Sequence, residues 1–137
     1  MKMRIYLTHC CARKDDTLKG TGQKVPPERL YIARPTQRFM KHCISLEVRW
    51  AIFSDYYGVW FPEIEREWYG DDVGDPNRVK EPQLIKLIES FDKTLEQYDE
   101  IFFYYNPGRF HPLYEELLKR TVLKIRIHRI THLRDIV

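Results

Sequence analysis

The sequence predicts an α/β protein with a single three-layer domain over residues 1–137, in which helices flank a mainly parallel four-stranded sheet. Four apolar runs rich in β-branched and aromatic residues predict the strands, at 2–8, 48–53, 101–105 and 123–127. Helical patterns separate successive runs, and this alternation favours right-handed crossovers between parallel strands. A length of 137 residues suits one domain.

Each of the three predicted helices has a proline in its first turn. The first begins at Arg34 and ends near Leu46, and the others open at Pro82 and Pro112. The second helix has one apolar stripe that is expected to lie in the core, formed by Leu84, Ile88, Phe91, Leu95 and Tyr98. Thr131 is the expected N-cap of a short terminal turn.

The composition excludes a disordered or membrane-embedded chain, with 43% hydrophobic and 31% charged residues. No apolar run approaches the ~20 residues that a bilayer requires, and the first residues lack the apolar segment of a secretion signal. We therefore expect a cytoplasmic protein without a membrane partner. The three cysteines, two of them adjacent, suit reduced thiols better than a disulfide framework.

Charge is unevenly distributed along the chain, although the net charge is only +3. Basic residues gather in the first third, at Arg13, Lys14, Lys19, Lys24, Arg29, Arg34, Arg38 and Lys41. A second basic stretch covers 119–134, whereas 63–75 is acidic. A polyanion lying across both basic stretches is one interpretation, and a mixed solvated surface is the other.

Polar and reactive residues follow three of the predicted strands. They occupy 9–14 (HCCARK), 54–58 (SDYYG) and 106–109 (NPGR). Because parallel strands end at the same edge of a sheet, and α/β proteins bind ligands at that edge, these segments predict a crevice. The long loop after the first strand, about twenty residues with several glycines and prolines, is interpreted as a lid. The aromatic segment 56–81 is expected to fold back and roof the crevice.

Three residues are candidates for catalysis. Asp55 suits a general base, although Asp is also common in turns. Cys10 is either a thiolate with a lowered pKa or a small packing residue, and His9, His42, His111 and His128 are the histidines that could serve as its base. His111 either caps the following helix or points at a ligand.

Seven residues are candidates for ligand binding: Lys14, Tyr31, Ser54, Tyr57, Gly58, Asn106 and Arg109. Tyrosine rings stack on nucleobases, and arginine grips phosphate or carboxylate in a bidentate way. Asn106 suits a base edge, although a tight turn also explains the segment around it. The histidines and cysteines lack the C-x₂-C spacing of zinc sites, so we expect no metal and no cofactor.

The motifs at 10–14, Leu30-Tyr31 and 54–58, followed by Pro62, resemble those of an uncharacterised bacterial and archaeal α/β family. That family has a cysteine-and-lysine turn, a Leu-Tyr pair and a Ser-Ala-x-Tyr-Gly segment. The chain is similar, more distantly, to the peroxide-stress protein family and to domains attached to deazaguanine tRNA-modification enzymes. The resemblance covers residues 4–70 and implies an α/β fold with a nucleobase, nucleotide or nucleic-acid ligand.

Three functional hypotheses follow. The first is a protein that binds a nucleotide, nucleobase or nucleic acid in a crevice formed by 9–14, 54–58 and 106–111. The second is an enzyme that cleaves or transfers at an N-glycosidic bond, in which Asp55 positions water and Asn106 or His111 holds the base. The third is a non-enzymatic interaction protein. The sequence leaves the oligomeric state open.

Overall fold

The computed structural model describes residues 2–10, 13–70, 76–105 and 110–137, apart from the side chain of Arg78. The elements follow in the order β1 (Arg4–His9), β2 (Lys24–Val25), α1 (Pro27–Leu30), α2 (Arg34–Leu46), β3 (Trp50–Ser54), β4 (Gly58–Trp60), β5 (Arg66–Glu67), α3 (Glu81–Leu95), β6 (Glu100–Tyr104), α4 (Pro112–Arg120) and β7 (Ile127–Ile130). Short 3₁₀ turns lie at Asp16–Leu18, Pro76–Arg78, Lys124–Arg126 and Leu133–Asp135.

The main sheet has five strands in the order β4-β3-β1-β6-β7. β1 pairs in parallel with β3 and β6, and β7 pairs in parallel with β6. Among the described strands of this sheet, only β4 is antiparallel, because a short turn folds it back along β3. The prediction of an α/β protein with a mainly parallel sheet is therefore confirmed, whereas the predicted number of four strands is wrong.

The sequence does not predict β4 because this strand has only three residues and lies inside the aromatic segment 56–81. Its pairing joins Ser54 to Gly58, and Gly58 has a φ of 78°. Glycine adopts this left-handed conformation without the steric penalty of a Cβ atom, so the turn can close tightly.

The last strand lies later in the chain than predicted. Residues Lys124–Arg126 form a 3₁₀ turn, and β7 begins at Ile127. The apolar residues that suggested a strand at 123–127 do not share a buried face, since Leu123 is buried whereas Ile125 is 96% exposed. Thr131 is not the N-cap of the terminal turn, because His132 occupies that position.

The long loop after β1 is more regular than predicted, since it contains β2 and α1. β2 pairs with β5 in a second, antiparallel sheet that joins this loop to the aromatic segment. Trp60 and Tyr69 are buried and Trp68 packs against the core. The expectation that the described part of this segment folds back onto the body is confirmed.

Side chains of β1 contribute to two separate core clusters, because alternate residues of a strand point to opposite faces. Ile5 and Leu7 belong to the cluster that contains the buried residues of α3 and α4. Tyr6 belongs to the cluster that contains those of α2, including Phe39 and Met40. Strands enclosed on both faces read as continuous apolar runs, which explains the runs that predicted β1 and β3.

The helices agree closely with their predicted positions. α2 has the predicted bounds, and Pro35, Pro82 and Pro112 all lie in the first turn of their helices. The stripe predicted along α3 is buried, although the helix ends before Tyr98. Among the described residues, no helix has both the length and the apolar character needed to cross a bilayer.

Candidate functional site

The candidate site begins where β1 and β3 end side by side. The backbone N–H of Cys10 donates to the carbonyl of Phe53 at 2.8 Å, which places Cys10 beside Asp55. β6 lies on the other side of β1, and the hydroxyl of Thr8 donates to the carbonyl of Tyr104 at 2.7 Å. The chain leaves β1 towards β3 and later returns to β6 on the opposite side, so the sheet has a topological switch point beside β1.

A thiol lies between a carboxylate and a phenol at this edge. Cys10 Sγ donates to Asp55 Oδ1 at 3.2 Å, and Tyr114 Oη lies 3.2 Å from the same sulfur. Because the thiol has a single hydrogen and directs it to Asp55, the Tyr114 hydroxyl donates to the sulfur. Asp55 is 6% exposed, so its carboxylate is held at the strand end with little contact to bulk water.

Burial and the neighbouring Asp55 raise the pKa of Cys10 to about 12. These effects favour the neutral thiol of Cys10 near pH 7 over a thiolate with a lowered pKa. A low-dielectric setting disfavours the charged thiolate, and the nearby carboxylate adds like-charge repulsion. Burial also raises the pKa of Tyr114 well above its usual range, so this phenol stays protonated.

His9 is the histidine nearest to Cys10 in the chain. Its Nδ1 atom lies 3.0 Å from the Cys10 carbonyl, so this nitrogen carries the hydrogen. The imidazole packs against the ring of Tyr114 with centroids 5.5 Å apart. Burial lowers the pKa of His9, so the ring is neutral at physiological pH.

A second polar chain starts at Ser54, the last residue of β3. Its Oγ atom accepts from the backbone N–H groups of Tyr56 at 3.1 Å and Tyr57 at 3.0 Å, and donates to Tyr69 Oη at 3.0 Å. The hydroxyls of Tyr69 and Tyr31 lie 2.6 Å apart. One serine thus orients the turn after β3 and ties it to the long loop after β1.

Next to this chain lies a groove of about 470 Å³ with aromatic walls. It is lined by Leu18, Gly20, Gly22, Tyr56, Tyr57, Glu67, Trp68, Tyr69 and Gly70. Tyr56 is 49% exposed and stacks on Tyr69, with centroids 5.1 Å apart and an interplanar angle of 23°. The volume falls in the usual range of small-molecule sites. We call this concavity the aromatic groove.

The fold brings together most of the residues that the sequence singled out. Lys14 forms a bridge with Tyr31, and its Nζ atom lies 4.4 Å from the ring centroid of Tyr69. Tyr57 and Gly58 lie in the turn that Ser54 orients. Lys14, Tyr31, Ser54, Tyr57 and Gly58 therefore surround one side of the site.

The remaining predicted residues are His111, Asn106 and Arg109. His111 is the N-cap of α4, since its Nδ1 atom accepts from the Leu113 N–H at 3.0 Å, and its Nε2 atom lies 2.7 Å from Asn77 Oδ1. The capping interpretation of His111 is thus the one observed. Asn106 and Arg109 lie outside the described residues.

Sequence analysis missed two central residues, Tyr69 and Tyr114. Tyr114 lies on the buried face of α4, where an aromatic ring is typical of the core, and its contact with Cys10 spans 104 positions of the chain. Tyr69 is one of several aromatic residues in the segment 56–81, and no local pattern distinguishes it from the others.

No cluster of histidine, cysteine and acidic side chains suited to a metal ion occurs within the described ranges.

Comparison of the chain with protein-family models, with curated proteins and with solved structures gives no match.

Proposed function

We propose that this protein binds a nucleotide, a nucleobase or a nucleic acid in the aromatic groove at the carboxyl ends of β1 and β3. The observation that carries the proposal is the stack of Tyr56 on Tyr69. Tyr56 is 49% exposed, yet Tyr69 holds its ring in a fixed orientation on the groove wall.

A nucleobase is the ligand that suits such a ring. Every base has a flat π face, and stacking on an aromatic side chain contributes ~1–3 kcal/mol per base. Tyr57 stands nearly edge-on to Tyr69, with an interplanar angle of 81°. The groove wall therefore contains a second tyrosine ring in a different orientation. An exposed tyrosine that is already oriented loses less conformational entropy when a base stacks on it.

Lys14 supports the nucleotide form of the ligand, because its ammonium group lies at the Tyr69 ring. A phosphate attached to a base stacked on Tyr56 would find this cation close by. Arg109 and Asn106 remain the predicted additional contacts to phosphate and base edge.

The test is a binding titration with nucleobases, nucleotides and short oligonucleotides, followed by intrinsic fluorescence. We expect Tyr56→Ala to weaken binding about tenfold or more, as expected for one lost stack. Lys14→Ala should weaken binding of phosphorylated ligands more than that of free bases. Ile85→Ala and Lys86→Ala, both on exposed positions of α3, are the matched controls and should bind normally. Absence of binding to every ligand would contradict the proposal and favour the interaction-protein hypothesis.

A second candidate function is cleavage or transfer at an N-glycosidic bond. The buried carboxylate of Asp55 supports it, because a carboxylate at the ligand-binding edge of a parallel sheet suits a general base. In this proposal Asp55 positions water or stabilises positive charge on the sugar, and the neutral Cys10 orients the carboxylate. Asn106 is the proposed base contact. An Asp55→Asn variant that releases base from nucleosides or oligonucleotides as fast as the wild type would remove this candidate.

We also infer membership in the α/β family whose motifs the chain resembles. Support comes from the proximity of the motif residues, since Lys14 pairs with Tyr31 and Tyr31 connects through Tyr69 to Ser54.

We further infer a three-layer arrangement, supported by the two core clusters. Free thiols at Cys10 and Cys43 support a reducing, cytoplasmic setting.

A further inference from the structure

We propose that the aromatic groove takes a single-stranded nucleic acid of at least two nucleotides rather than one free nucleotide. This inference rests on the proposed function and narrows its ligand. Its starting point is that three rings of the groove wall each have a cation nearby. Lysine or arginine groups lie 4.4 Å from the Tyr69 centroid, 5.2 Å from that of Trp68 and 4.8 Å from that of Tyr57.

The three cations come from two parts of the chain. Lys14 and Lys19 lie in the loop after β1, and Arg66 belongs to β5. A mononucleotide has one base and carries its phosphates at one position of its sugar. A strand repeats base and phosphate at each nucleotide, so only a strand places both beside several ring and cation pairs.

Two buried donors strengthen this assignment, one on the groove wall at Trp68 and one at Arg66, whose guanidinium group lies at the ring of Tyr57. Within the described part of the chain, Arg66 Nε and Trp68 Nε1 have no hydrogen-bond partner. A buried N–H without an acceptor costs free energy, and a ligand oxygen that reached these groups would remove that cost. A nucleic-acid strand supplies acceptors at each nucleotide, from its phosphate oxygens and its base carbonyl groups.

Glu67 also lines the groove, and its carboxylate repels phosphate. We therefore place the sugar-phosphate backbone on the side of Lys14 and Lys19, and the bases towards Tyr57 and Glu67. A duplex cannot present its bases in this way, because they are stacked and paired inside the helix. The groove thus suits unpaired bases in particular.

Fluorescence anisotropy with labelled thymidine and uridine oligonucleotides of one, two, four and eight residues tests the inference. The DNA and RNA arms show whether the 2′-hydroxyl matters, and a duplex of eight pairs gives the comparison with paired bases. We expect the affinity to rise about tenfold or more from the mononucleotide to the tetranucleotide, and the duplex to bind at least about tenfold more weakly than the single strand.

Lys19→Ala separates the inference from the proposed function. It should weaken binding of the tetranucleotide, leave the mononucleotide unchanged, and reduce the slope of log affinity against log salt by about 0.7. Lys86→Ala on α3 is the matched control and should change neither.

Equal affinity for mononucleotide and tetranucleotide, or binding of duplex as tight as single strand, would overturn the inference and leave the proposed function standing. Failure of all ligands to bind, or binding that Tyr56→Ala does not alter, would overturn both.

Discussion

The thiol of Cys10 donates a 3.2 Å hydrogen bond to the carboxylate of Asp55, which lies 45 positions later in the chain. This contact joins the ends of β1 and β3 and keeps the cysteine protonated. The usual chemistry of a strand-end cysteine is nucleophilic attack, and that requires a thiolate. Here the thiol acts as a hydrogen-bond donor that orients a buried carboxylate.

Asp55→Asn is expected to make Cys10 more reactive. Burial would still raise the pKa of the thiol, but the repulsion from the carboxylate would be gone. At a pH below the pKa, the thiolate fraction rises about tenfold for each unit by which the pKa falls. The measurement is the rate of iodoacetamide labelling at pH 8.5 in a Cys11→Ser background, with the modified residue located by mass spectrometry.

Asp92→Asn is the control for this experiment, because Asp92 also accepts a side-chain hydrogen bond, from Thr121. It should leave the Cys10 rate unchanged. An unaltered rate in Asp55→Asn would show that Asp55 has no part in holding the thiol neutral.

The thiols of Cys10 and Cys43 should make the protein less stable in alkaline solution. A cysteine in an unfolded chain has a pKa of ~8.5, whereas burial, together with Asp55 in the case of Cys10, raises the pKa of Cys10 and of Cys43 to about 12. Between these values the folded protein binds more protons than the unfolded chain, so the free energy of unfolding falls as pH rises. The fall is at most about 1.4 kcal/mol per pH unit for each thiol.

Urea unfolding at pH 7 and pH 10 measures this effect. The Cys10→Ala, Cys43→Ala double variant should lose less stability between the two pH values than the wild type. An equal loss in both proteins would mean that the two thiols do not titrate differently in the folded state.

Ser54→Ala should destabilise the fold by about 1–3 kcal/mol, because two backbone N–H groups and Tyr69 lose their partner in a fully buried place. Tyr69→Phe removes the other end of one of these bonds. In a double-mutant cycle the combined loss should be smaller than the sum by about 0.5–1.5 kcal/mol. Chemical denaturation of the four proteins gives these values, and strict additivity would contradict the predicted coupling.

Gly58→Ala should reduce stability by about 1 kcal/mol, because Gly58 has a φ of 78°. Space is not the reason, since a Cβ atom there would meet its nearest neighbour, Ser90 Oγ, at an ordinary 3.5 Å. Gly58→Asn should be destabilised less, because asparagine tolerates left-handed backbone. Thermal unfolding of both variants checks the order, and a larger loss in the asparagine variant would point to crowding.

Local patterns were sufficient for the elements that the core encloses. β1 and β3 read as apolar runs because both of their faces are covered, and the helices were located by prolines in their first turns. β4 and β7 were not found correctly, because three-residue β4 depends on its partner β3 and the apolar residues before β7 are exposed.

The candidate site was predicted to the extent that it lies at strand ends. Asp55, Cys10 and Ser54 follow or end strands, so the parallel sheet alone brings them to one edge. Tyr69 and Tyr114 approach that edge from an irregular segment and from α4. Their positions depend on packing between distant parts of the chain, which no local pattern encodes.

The central position of β1 has a consequence for synthesis on the ribosome. β1 is made before any of its neighbours, yet it pairs with β6, where Arg4 and Glu100 are 96 positions apart. One edge of this apolar strand therefore stays unpaired until more than a hundred residues have been translated, and closing so long a loop delays folding. During that interval the nascent chain exposes a strand that other chains can join, so chaperone supply should influence the yield of folded protein.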